Sequence, residues 1–136
     1  MKKIAIIGCL VLILSTGCGL ENKAPQTEYK VNEEAFIDSY QIECNDFEKT
    51  DNILEVNYTL TNQSNQQVTV EPSNAFRLVQ QDQMISANED SSVTLEPSET
   101  KKLTVTFNVT ETQDQYKVLF YSGVVDNNIA FRLESN

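Results

Sequence analysis

Histidine and tryptophan are both absent from the 136 residues. Without histidine there is no Ser-His or Cys-His catalytic pair, and the usual imidazole ligands of zinc and copper are missing. Without tryptophan the common stacking platform for sugars is lost. Glycine is scarce: there are four, and Gly8, Gly17 and Gly19 all lie near the amino terminus, so a glycine-rich phosphate loop cannot be assembled. Cysteine is limited to Cys9, Cys18 and Cys44. Positive charge is also short, with 10 basic against 20 acidic residues and a net charge of −10. Such a chain repels nucleic-acid phosphates, so nucleic acid is not an expected partner.

What is present begins with an export signal. Met1-Lys2-Lys3 is a positive n-region, and Ile4 to Leu14 is an apolar run. Ser15-Thr16-Gly17 supplies small residues just before Cys18. Positive charge holds the amino end in the cytoplasm while the apolar run enters the bilayer. Leu14-Ser15-Thr16-Gly17-Cys18 resembles the bacterial lipobox, with Ser15 where leucine is usual. The resemblance implies a diacylglyceryl thioether on Cys18 and cleavage after Gly17. Residues 1–17 are therefore read as a lipoprotein signal peptide, and 18–28 as the lipidated cysteine and a polar tether. Two acyl chains make a stable anchor. Plain secretion and a retained helix are the alternatives. The remaining chain, with Lys2 and Lys3 removed, is more acidic still, so electrostatic attraction to anionic headgroups is not expected to hold it at the membrane. Cys9 is lost with the signal, and Cys44 alternates with Tyr40 and Ile42, which suits a buried, unpaired thiol.

From Tyr29 to Asn136 the pattern alternates with period two and shows no helical periodicity. Leu54, Val56, Tyr58 and Leu60 share one face of the run 53–62. Leu103, Val105, Phe107 and Val109 do the same in 102–110. One wet and one buried face is the mark of antiparallel sheet. Further strands are expected at 34–44, 67–71, 75–80, 83–86, 92–95, 116–121 and 128–133, separated by Asn-, Asp-, Ser- and Pro-containing turns. Seven to nine short strands at this spacing predict an all-β, immunoglobulin-like antiparallel β-sandwich, since two sheets can hide their apolar faces from each other.

The stretches "NYTLTNQSNQQVTVEPSNAFRLVQQDQ", "TLEPSETKKLTVTFNV" and "YKVLFYS" resemble the telokin-like, immunoglobulin-fold domain of unknown function, grouped with the immunoprotective extracellular protein fold and common on secreted and lipid-anchored proteins of Gram-positive bacteria. The shared features are Leu60-Thr61-Asn62, Phe76-Arg77-Leu78, Leu95-Glu96-Pro97-Ser98-Glu99 and Val105-Thr106-Phe107. Where the family often has glycine, this chain has Gln83 and Ser98; a turn that keeps Ser98 out of positive φ is expected.

No catalytic, metal or cofactor residues emerge, and no enzyme activity is expected. Paired carboxylates for a hydrolase are not evident, because the acids fall on wet faces and in turns. The loops 46–52 and 88–92 are rich in oxygen ligands but lack calcium-loop spacing. Tyr121-Ser122-Gly123, at a strand end, is the best exposed recognition candidate. Asn57, Asn62 and Asn108 start chance sequons. The expectation is a monomeric, membrane-anchored extracytoplasmic module that binds an envelope protein or peptide, or wall material. A shielding surface protein without a tight ligand, and more remotely a carboxylate-based hydrolase, are the alternatives.

Overall fold

A computed structural model describes residues 27–110 and 112–134. The expected signal, Cys18 and all but the end of the expected tether lie outside the described residues. The strands are β1 (Glu28–Lys30), β2 (Glu34–Ile37), β3 (Tyr40–Thr50), β4 (Ile53–Asn62), β5 (Val68–Val70), β6 (Phe76–Gln80), β7 (Gln83–Ser86), β8 (Val93–Leu95), β9 (Thr100–Asn108), β10 (Gln115–Tyr121) and β11 (Asn128–Glu134), with one short helix, α1 (Pro72–Ala75). One sheet has the order β9-β4-β3-β2, a second β1-β11-β10-β6-β7, and β5 and β8 form a separate ribbon. The fold is an all-β sandwich, as the alternation predicts. All pairings are antiparallel except β1, which runs parallel to β11.

The two sheets hide their inner faces against each other. Leu54, Val56, Tyr58 and Leu60 of β4 meet Phe76 and Leu78 of β6, Val118 and Phe120 of β10, and Phe131 and Leu133 of β11 in one buried cluster. Tyr58 lies 4.8 Å from Phe76 and 5.4 Å from Phe131 between ring centroids, and Tyr40 lies 5.4 Å from Phe120. These rings cross from one sheet to the other. Each fully buried large side chain contributes about 1.5–3 kcal/mol, so the inward rows are the main force holding the layers together.

The structure corrects several boundaries. The expected strand 34–44 is two strands joined by a tight turn in which Asp38 has φ 51°. Its second half runs on to Thr50, because a bulge between Cys44 and Asp46 shifts the inward set from Tyr40, Ile42 and Cys44 to Phe47. One inserted residue breaks the period of two. Residue 28, assigned to the tether, begins β1. Among the described residues there are eleven strands, against the seven to nine expected. Pro72-Ser73-Asn74, which separate the expected strands 67–71 and 75–80, form α1 together with Ala75, and Glu71 caps it, with proline at a first-turn position where its missing N–H costs nothing.

Candidate functional site

Tyr121-Ser122-Gly123 lies at the carboxyl end of β10, where the strand leaves the sheet. There it lines a groove of about 350 Å³ with Tyr40, Val70 and Ala75, and with Glu71 and Asn74 of the α1 turn. The elements converge for a simple reason. Phe76 opposes Phe120 across the β6–β10 pair, so the α1 turn preceding Phe76 must sit over the end of β10. The Glu71 carboxylate accepts from Asn74 Nδ2 at 2.6 Å and closes that turn.

The neighbouring loop is held by Asp38. Its carboxylate accepts a hydrogen bond from the Ser122 hydroxyl and another from Asn127 Nδ2 at 3.2 Å. The Asn127 N–H donates to the Val124 carbonyl at 2.8 Å and closes the turn between them. Gly123 takes φ 92°, which glycine alone adopts freely. Val125 has φ 26° and is 87% exposed, an unusual backbone for a β-branched side chain. Val124 beside it is also exposed. The Asp38 anchor therefore holds a strained loop that presents two valines next to the groove. The Thr27 carbonyl accepts from the Ala130 N–H at 2.8 Å, so the chain enters the domain near this loop.

Asp38 and Arg77 were not singled out from sequence as site residues. Asp38-Ser39 between apolar Ile37 and Tyr40 is a turn signal that could have marked Asp38. Arg77 carries no sequence signal beyond being a cation in an acidic chain.

Other candidates fall elsewhere. Cys18 is outside the described residues. Cys44 is buried in β3, unpaired, and its thiol is pushed up to about 12 by burial and by the charges of Asp46 and Glu43. The segment 46–52 lies mostly within β3 and is not a loop; Asp46 Oδ1 accepts from Asn57 Nδ2 at 2.6 Å. In 88–92, the Glu89 carboxylate is occupied by the Thr106 N–H at 2.8 Å and the Thr106 hydroxyl at 2.7 Å. Among the described residues no group of three acids or cysteines is placed to hold a metal ion. Asn62 is fully buried: its Nδ2 donates to the Gln66 and Leu95 carbonyls, and its Oδ1 accepts from the Ser64 N–H and hydroxyl. Such a side chain stitches a turn and offers nothing to a glycosylating enzyme. Most tyrosines and phenylalanines are core, as expected; Phe36, 60% exposed on the edge strand β2, is the exception.

No family model matches the chain, and no curated protein matches it by sequence. Solved structures do match its shape. The yjhA protein of Bacillus subtilis superposes with a TM-score of 0.64 at 12% identity, covering 78% of this chain and 99% of that one. An uncharacterized β-sandwich protein of Clostridium difficile 630 superposes with a TM-score of 0.52 at 11% identity, covering 83% and 99%. At such identity the likeness speaks for the fold alone, and it extends over nearly the whole length of both solved proteins.

Proposed function

We propose that this chain is a lipid-anchored, extracytoplasmic binding module of the telokin-like immunoglobulin type, without catalytic activity. It takes a protein or peptide partner at the end of the sandwich formed by α1, Tyr121–Gly123 and the Ser122–Asn127 loop. The observation that carries this reading is the groove beside that loop. An amphipathic tyrosine, an open concavity and two outward valines on a loop pinned by Asp38 are the composition of a recognition surface, set on a rigid scaffold. The lipobox-like run ending at Cys18 supports the location. The inventory of side chains supports a non-catalytic role: Ser122 and Asp38 pair directly, with no histidine in the sequence to stand between them.

Site-specific photo-crosslinking in intact cells tests the reading. A photoreactive residue at Val125 is expected to capture one dominant protein, and the same residue at Asp51, in the turn at the opposite end of β3, is expected not to. Equal labelling from both positions is the outcome of a shielding coat. A purely lipid adduct from Val125 would mean that the loop faces the membrane. Either result contradicts the proposal.

A further inference from the structure

The outer face of the five-stranded sheet departs from the charge of the rest of the molecule. Cross-strand register places Lys30, Arg77, Lys117 and Arg132 on this one face, along with Val79, Leu119, Met84 and Ala130. Among the described residues only Glu28 and Glu134 share it as acids, and both are engaged. Glu28 accepts from Arg132 Nη1 at 2.8 Å and lies 3.5 Å from Lys117 Nζ. Glu134 lies 3.2 Å from Arg132 Nε, within ion-pairing distance though not aligned as a hydrogen bond. A shallow hollow of about 300 Å³ opens between Val79, Lys117 and Arg132.

Arg77 differs from Lys117 and Arg132. Among the described residues no carboxylate pairs with it. Its guanidinium carbon sits 5.3 Å from the centre of the Tyr121 ring, and its Nε is buried with no acceptor. Leu119 is its direct cross-strand neighbour on β10 and Ser86 on β7, with Met84, 56% exposed, on the next row. The Tyr121 hydroxyl donates toward Met84 Sδ at 3.7 Å and fixes the ring beneath the guanidinium. An arginine stacked on an aromatic ring is preorganised for planar, side-on recognition of an oxyanion, and Arg, Tyr and Met are the side chains enriched at the centres of protein interfaces.

We propose that this face docks an acidic protein segment, and that Arg77 receives a carboxylate flanked by apolar side chains. The carboxylate bonds the outward guanidinium nitrogens, and a small rotation of the side chain brings the orphan Nε–H to its second oxygen. Apolar neighbours of that carboxylate cover Leu119, Val79 and Met84. Charge complementarity selects the occupant: a net-positive, half-apolar sheet face on an otherwise acidic chain repels little that is anionic and holds it by a directional fork. A fluid lipid headgroup layer supplies no fixed acceptor at that spacing. The inference goes beyond the groove reading and does not depend on it or on Cys18.

The full chain, purified in non-ionic detergent with ¹⁵N-labelled arginine, tests this by nuclear magnetic resonance. The probe is acetyl-Leu-Glu-Leu-amide, with acetyl-Leu-Gln-Leu-amide as control. The Glu peptide is expected to shift the Arg77 Nε–H signal saturably, and the Gln peptide not to. Arg77→Gln is expected to weaken the binding at least about 10-fold. Lys117→Gln, which removes equal charge from the same face, is expected to change it by less than about twofold. Both variants keep most of the aliphatic stem, and an unchanged amide spectrum shows that each is folded. The proposal is overturned by the absence of a saturable shift, by equal loss in the two variants, or by inorganic phosphate binding Arg77 more tightly than the peptide does.

Discussion

Cys44 and Tyr58 face each other across β3 and β4, both fully buried. Burial raises the Cys44 thiol to about 12 from an ordinary 9.0, and raises the Tyr58 phenol well above its ordinary 10.0. The Tyr58 hydroxyl has no hydrogen-bond partner. Its ring is kept for packing, against Phe76 and Phe131, and an orphan hydroxyl in such a site costs about 1–3 kcal/mol. The linkage has a definite sign. In the folded state both groups keep their protons to higher pH than in the unfolded chain. Their contribution is complete below pH 9.0 and is lost as pH rises toward 12 for Cys44, with Tyr58 adding to the loss from its ordinary value upward. Each group adds a slope of about 1.4 kcal/mol per pH unit once its unfolded form ionises. Urea unfolding from pH 7 to 11 is therefore expected to show stability falling above pH 9. Tyr58→Phe should be the more stable form throughout, and its margin over the native protein should widen above pH 10. A constant margin would mean that Tyr58 reaches solvent. The same burial makes Cys44 unreactive toward thiol reagents at pH 8 until the domain unfolds.

At the scale of elements, the turns carry the backbone strain. Asn32, Asp38, Asp51, Gln81, Ser98, Val125 and Asp126 all have positive φ. Ser98 was expected to avoid this region and does not, with φ 67°. The reason is the hydrogen bonding around it. The Ser98 N–H donates to the Asn62 carbonyl at 2.9 Å, the Asn62 N–H donates to the Glu99 carbonyl at 3.0 Å, and the Glu96 N–H donates to Glu99 Oε1 at 2.8 Å. Three bonds from three partners fix a conformation that serine alone would not choose. Ser98→Gly relieves about 1–2 kcal/mol of left-handed strain and loses about 0.4–1 kcal/mol to greater freedom of the unfolded chain. A net gain of roughly 0.5–1 kcal/mol, read as a rise of a few degrees in Tm, is the expected outcome; a fall in Tm would show that the Ser98 side chain is needed.

The same elements show what could be read in advance. β4 and β7 have the expected bounds and β9 is displaced by two residues; in β4 and β9 the alternation of apolar and polar residues is uninterrupted, whereas β7 sets Met84 and Ile85 side by side and was marked by the polar turn before it. β3 was cut short because the bulge beside Asn45 moves the buried set by one, and a pattern search reads that as a strand end. β1 escaped because three residues, Glu28-Tyr29-Lys30, show only one apolar position. α1 is too short to display a helical period. Tyr121–Gly123 was legible as a strand end next to the only glycine beyond Gly19. Asp38 as anchor and Arg77 on its ring were not, because both depend on pairings across 84 residues for Asp38–Ser122 and across the β6–β10 register for Arg77.

For the whole molecule, net charge bears on how it could be held at a membrane. An acidic chain is kept soluble by its like charges and is not drawn to an anionic bilayer by its net charge. The basic sheet face is a local exception, suited to a docked partner rather than to broad electrostatic adhesion. A covalent lipid is then what would keep such a domain at a membrane. If Cys18 carries a lipid, each residue between it and Thr27 would add at most about 3.3–3.6 Å of reach. The most direct test of this account is the intact mass and membrane fractionation of the native protein beside a Cys18→Ala variant. The native chain is expected in the membrane fraction, starting at Cys18 and carrying diacylglyceryl mass, while the variant is expected to lose both the mass and the membrane. Identical fractionation of the two, with no lipid mass on either, would contradict it.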